Sequence, residues 1–299
     1  MKTVAFLDVL GFSNHVYEDL NQTEKIVKDI NELLAVKISN DINARKITDD
    51  NLYKELIDSY TFDAVDFILP VSDSIFLAGN NSQRMILQIS NFLCRILEFT
   101  LSRFLNNNDC FPVIMRGGID YGETKIINSF IYNQNCKKCE LNNSFNMIGI
   151  PVVEAVKLEE MHNKGPKLFL TENVVDELDE DEKKFVSDED NKKYFLWPKS
   201  FFIKNNLFND FKSEFRQRCK YNLRPIIELY CKYKNKEKVV RHYESLICMT
   251  IEAFSKIYLM LPDEQEENKQ IAQDELKEII TNADLTKSER ETFLNSICC

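Results

Sequence analysis

Basic charge is what this sequence most plainly lacks: 38 Lys and Arg face 48 Asp and Glu, a formal charge of -10 at pH 7. A nonspecific nucleic-acid binder needs a basic surface to displace counterions, so no nucleic-acid partner is expected. A nucleotide is still admitted, because divalent ions and a few local cations can neutralise a triphosphate. No run approaches the about 20 uninterrupted apolar residues of a membrane span, and the first residues pass straight into a strand-like run with no signal-peptide pattern. A cytoplasmic protein with no membrane partner is expected. Nine cysteines at irregular spacing, ending in Cys298 and Cys299, do not form the dense framework of a secreted disulfide scaffold, which predicts reduced thiols. Cys136 and Cys139 have zinc-ligand spacing, yet no second such pair exists and the only histidines are His15, His162 and His242.

Glycine is scarce as well, seven in 299 residues, and six of the seven stand in or beside four short segments. Gly11 falls in Ala5-Phe6-Leu7-Asp8-Val9-Leu10-Gly11-Phe12-Ser13, and Gly79 closes the run from Val71-Ser72-Asp73-Ser74. Gly117, Gly118 and Gly122 lie in Met115-Arg116-Gly117-Gly118-Ile119-Asp120-Tyr121-Gly122-Glu123, and Gly149 opens the segment that runs through Val153 and Lys157 to Glu159. A chain this sparing is expected to place glycine where backbone turns tightly or approaches a ligand.

Thr3 to Val9 reads as a buried strand that delivers Asp8 at its end, followed by a helix from Asn21 to about Ile38. Asp66 to Leu77 has two β-rich arms around Pro70 to Asp73, the pattern of a hairpin that brings Asp73 near Asp8. Ser82 to Leu105 has helical periodicity; Phe111 to Met115 reads as a strand that ends where Arg116 and its glycines begin. Ile126 to Tyr132 is a further strand, Asn133 to Asn143 a polar loop, and Val152 to Met161 a helix. Lys167 to Thr171 is a strand, Asp176 to Asp190 an acidic solvated surface, and the pattern beyond Trp197 is helical and aromatic. The boundaries expected are a catalytic-type domain over 1–198 and a helical extension over 199–299.

Two acids on neighbouring strand ends are suitable hard oxygen ligands for Mg²⁺ or Mn²⁺, which bind through one or two carboxylates plus substrate phosphates. The backbone from Leu10 through Gly11 and Phe12 to Ser13 can offer amides to phosphate oxygens. Arg116 carries a fixed fork of donors matched to phosphate. Taken singly, each has a plainer reading: Asp8 and Asp73 as ordinary strand-end acids, Arg116 as a surface ion pair.

Together and in this order the four segments resemble the catalytic domain of class III nucleotidyl cyclases, over about residues 3 to 198. The resemblance implies an α+β, ferredoxin-like catalytic domain with a central, mostly antiparallel sheet and flanking helices, here followed by the helical extension. It implies Asp8, Val9 and Asp73 as ligands of two Mg²⁺ or Mn²⁺ ions, and Arg116 as a contact to the triphosphate. Lys157 falls at the family's transition-state arginine, whereas Val153 replaces its transition-state asparagine. Phe67, or a near neighbour, and Asn146 fall at the base-reading positions; a ring can stack on a base and an asparagine can pair with its edge. These departures point away from purines. The first three segments look most like the bacterial pyrimidine cyclases of the Pycsar anti-phage systems. That implies conversion of UTP to 3′,5′-cyclic UMP and pyrophosphate, with the cyclic nucleotide activating a separate effector. It also implies a homodimer whose sites combine the acids of one copy with Lys157 of the other. The alternatives are a cytidylate cyclase, a purine cyclase, and a silent nucleotide-sensing module that Val153 would favour.

Overall fold

The computed structural model describes residues 1–44, 62–107, 111–130, 143–160, 165–202, 211–261 and 266–297. Strand β1 (Lys2–Val9) lies near the centre of a seven-stranded sheet, which is why Val4, Ala5, Leu7 and Val9 are buried apolar residues and Thr3 is buried with them. Helices α1 (Phe12–Glu18) and α2 (Leu20–Ala44) follow, then the hairpin β2 (Val65–Val71) and β3 (Ser74–Gly79). Helix α3 (Ser82–Asn107) leads to β4 (Met115–Gly122). These four strands stand in the order β2-β3-β1-β4, all antiparallel. A β-α-β-β-α-β chain with that order is the ferredoxin-like arrangement.

Past β4 come the hairpin β5 (Thr124–Phe130) and β6 (Asn143–Gly149), which form a separate two-stranded ladder, and helix α4 (Ile150–Glu160). Strand β7 (Leu168–Leu170) joins β4 in parallel. Two short helices, α5 (Glu172–Asp176) and α6 (Glu180–Lys183), precede β8 (Val186–Glu189) and β9 (Lys192–Phe195), which extend the sheet antiparallel beyond β7. The fold is therefore α+β with a mixed, mostly antiparallel sheet.

Several boundaries differ from expectation. The glycines after Arg116 are not a loop: β4 begins at Met115, and Gly117, Gly118 and Gly122 are strand residues. Their reason is packing. A Cβ on Gly118 would stand 2.2 Å from the Ala155 carbonyl oxygen and 2.7 Å from Leu158 Cβ, so only glycine lets α4 lie directly on the sheet there. The acidic run 176–190 is not all solvated surface, since it contains α6 and β8. Residues 12–18 form a helix of their own. Asp19 interrupts the chain in an extended conformation, and its Oδ1 then accepts the N–H groups of Asn21 (3.0 Å) and Gln22 (3.1 Å) as the cap of α2.

On the sheet face opposite α4, Leu7, Ile75, Leu77 and Ile119 share one core with Met85, Ile89, Phe92 and Leu93 of α3. Truncating any of these to Ala costs about 2–5 kcal/mol. The core continues without a break through a 3₁₀ turn, Trp197–Phe201, into the C-terminal helices. These are α7 (Phe211–Arg218), a π-helical turn (Cys219–Leu223), α8 (Arg224–Tyr233), α9 (Glu237–Leu259), α10 (Glu266–Asn282) and α11 (Lys287–Asn295). Phe202, Phe215 and Phe254 pack edge to face or tilted where α9 meets that turn. The expected boundary at residue 198 falls inside the 3₁₀ turn. Among the described residues no helix is long and apolar enough to cross a membrane.

Candidate active site

The site is built at one end of three adjacent strands. Register sets Asp8 opposite Ser74 on one side and Arg116 on the other, so the three side chains leave the same face. Ser74 Oγ donates to Asp8 Oδ1 at 2.8 Å, and Arg116 Nη2 stands 3.9 Å from Asp8 Oδ2. Asp73 sits in the two-residue turn of the β2-β3 hairpin. Ser72 takes the left-handed conformation there (φ 60°), and the Val9 N–H donates to the Asp73 carbonyl at 3.3 Å, which ties the turn to the end of β1. The structure thus brings Asp8, Val9, Asp73 and Arg116 together, as the sequence led one to expect.

It adds a residue the sequence reading missed. Arg116 Nε pairs with Glu159 Oε1 of α4, both largely buried. Pro151, Ala155, Leu158 and Glu159 are the buried residues of that helix, so the acid lies on the inward stripe. That spacing, inside the very segment that contains Lys157, was the signal that could have found it. Lys157 is on the other side: it is exposed and pairs with Glu154 at 2.7 Å. Val153, one turn earlier, is 52% exposed. Within one chain, then, Lys157 is not turned toward Asp8.

Charge at the site is unbalanced: Asp8 and Glu159 both face the one Arg116 guanidinium, and Asp73 adds a third negative charge beside Asp8. Burial pushes the Asp8 carboxyl above the ordinary range, the Ser74 hydrogen bond opposes that, Asp73 adds to it and Arg116 opposes it. Glu159 is raised as well, first by burial, against the pull of Arg116 and with a push from Asp8. His242, on α9, is lowered first by burial and then by the charge of Arg116. A set of hard oxygens with excess negative charge suits a divalent cation. The Asp8 and Asp73 carboxylates and the Val9 carbonyl are the groups that could hold one. Among the described residues no cluster of three or more His, Cys, Asp or Glu side chains is arranged for a metal, and Cys136 and Cys139 lie outside those residues.

The other expected contacts are placed as follows. The Leu10 N–H already donates to the Ile114 carbonyl at 2.9 Å, which corrects its assignment as a phosphate donor. Gly11 (φ 75°) starts α1, so Phe12 and Ser13 hold first-turn amides that have no acceptor within the helix. Phe67 pairs in register with Ala78, which lies opposite Val4, four residues before Asp8 and about 13 Å along the strand. Lys2 Nζ stands 5.7 Å from its ring centre. Leu69 is nearer the acids on the same arm. Asn146 is exposed on β6 opposite Ile127.

No family model matches the chain, and no curated protein matches it. Among solved structures, an adenylate cyclase of Trypanosoma brucei in its monomeric state superposes with a TM-score of 0.42 at 12% identity, over 65% of this chain and 86% of that one. A likeness at that level carries no argument about function; the geometry of Asp8, Asp73 and Arg116 has to bear it.

Proposed function

We propose that the chain is a nucleotidyl cyclase that converts a pyrimidine nucleoside triphosphate, UTP before CTP, to its 3′,5′-cyclic monophosphate and pyrophosphate. The observation that carries the reading is the convergence of Asp8 and Asp73 at one strand end with Arg116 in register beside Asp8. The ribose 3′-oxygen attacks the α-phosphorus, and the bond from that phosphorus to the bridging oxygen breaks to release pyrophosphate. Magnesium or manganese ions, when bound by Asp8, Val9 and Asp73, supply the Lewis acid that acidifies the 3′-hydroxyl and neutralises the phosphates. Glu159 fixes Arg116 through Nε, which leaves the guanidinium's Nη edge to meet phosphate oxygens beside Asp8. Phe12 and Ser13 add backbone donors.

Lys157 supports a homodimer in this reading. Ile150, Val153 and Lys157 share the outward face of α4, and Ile127, Ile148 and Asn146 share one face of the β5-β6 ladder. The four apolar members of that set are 46–75% exposed, an unusual density for a surface that stays wet. A second copy covering it would bring Lys157 and Asn146 toward the partner's acids. The product would act as a messenger for a separate effector, in anti-phage defence. Residues 1–198 would form the catalytic domain and 199–299 an extension packed on it.

The test is to incubate the purified protein with each of the four ribonucleoside triphosphates and Mn²⁺ and identify products by chromatography. Cyclic UMP is the expected main product. Nucleotide binding without a cyclic product from any of the four would favour the silent sensing module instead.

A further inference from the structure

Negative charge is unevenly spread over this chain. Residues 211–241 contain ten Lys and Arg against three Asp and Glu, a surplus of seven positive charges within a total of -10. Helix α7 buries Phe211 and Phe215, and Cys219 continues that buried stripe into the π-helical turn. Lys212, Arg216 and Lys220, four residues apart, are left on the exposed side. With Ser213, Gln217 and Tyr221 they form one open, solvent-facing surface along the helix. Tyr221 is 63% exposed, and Lys220 Nζ lies 5.3 Å from its ring centre. Arg216 Nε donates to Glu275 at 2.9 Å, which holds the guanidinium at the middle of the row. The π turn that presents Lys220 and Tyr221 is rare backbone that recurs at functional sites.

We propose that this face binds a short stretch of single-stranded nucleic acid, with phosphates along Lys212, Arg216 and Lys220 and a base stacked on Tyr221. A cationic track beside an exposed aromatic ring is the combination that single strands use. The row of cations is about 12 Å long at the helical rise, which suits an extended chain of phosphates better than one compact triphosphate. A lipid surface would need an apolar wedge on the exposed face, and Phe211 and Phe215 are turned inward. Net charge argued against any nucleic-acid partner, but net charge averages over a surface and says nothing of one face. The inference does not depend on the cyclase reading.

The test uses the whole protein and a dye-labelled oligouridylate of about twelve nucleotides, with binding followed by fluorescence anisotropy as salt is varied. Three phosphate contacts predict that log K falls against log salt with a slope of about -2. The double variant Lys212→Ala/Lys220→Ala keeps the Arg216–Glu275 pair, and its slope should fall to about -0.7 with an unchanged melting temperature. Tyr221→Ala should weaken binding about tenfold and leave the slope alone. The proposal is overturned if the strand does not bind at low salt, or if neither variant moves the affinity. It is also overturned if polyglutamate, inorganic triphosphate or phosphatidylserine vesicles displace the strand as well as unlabelled strand does.

Discussion

Arg116 stands directly across the β1-β4 ladder from Asp8, yet its Nε is committed to Glu159 on the helix above, so one guanidinium ties two acids from different layers. The pairing makes the strand end and α4 a single unit. A double-mutant cycle of Arg116→Ala and Glu159→Ala, followed by urea denaturation, should give a coupling energy of about 1–3 kcal/mol. Additive losses would mean that the pair contributes no specific interaction.

Asp8 should cost the metal-free protein stability at neutral pH. Its folded-state pKa is raised, so the stability linked to its proton is fully present below the unfolded value and is lost as pH rises through the folded one. Asp8→Asn, which can still accept from Ser74, should therefore melt at or above the parent at pH 7 without divalent ion. The advantage should vanish at about pH 4. Saturating Mn²⁺, at about a hundred times its Kd, should raise the parent by about 2.7 kcal/mol and leave Asp8→Asn unmoved. An equal Mn²⁺ shift in both proteins would place the ion elsewhere.

Gly118→Ala tests the approach of α4 to the sheet. The added Cβ meets helix backbone rather than a side chain that could swing away, and overpacking of that kind costs about 1–3 kcal/mol or more. A melting temperature equal to the parent's would show that α4 can lift off β4 without penalty.

Much of this site was legible because acids are conspicuous at the end of apolar runs. Asp8 closes Thr3 to Val9, and Asp73 stands where two β-rich arms meet. Strand β4 was misread because its glycines look like a turn, whereas in the fold Gly118 and Gly122 are what a strand needs when a helix lies on it, and Gly117 is closed in by Phe6 and Leu7 of β1. Strands β8 and β9 were hidden by charge. Their turn is Asp190-Asn191, both left-handed (φ 51° and 61°), a two-residue hairpin signal that the surrounding acids obscured. Glu159 was in plain sight but needed the buried stripe of α4 to be counted.

If the site is shared between copies, two inactive proteins should repair each other. Asp73→Ala keeps Lys157, and Lys157→Ala keeps both acids, so a mixed dimer has one intact site. Mixing them should restore about a quarter of parental turnover once subunits exchange at random: half of the dimers are mixed, each with one good site of two. Demonstrated exchange without recovered activity would put Lys157 outside the partner's site.

The most direct measurement is cyclic-nucleotide formation from UTP with Mn²⁺ by the parent, Asp8→Ala and Asp73→Ala proteins, each checked for an intact melting transition. Each variant removes an oxygen donor that no neighbouring side chain replaces, so the account predicts cyclic UMP from the parent and a loss of at least about a thousandfold in both variants. Undiminished product from either folded variant would contradict the assignment of these acids as the centre of the chemistry.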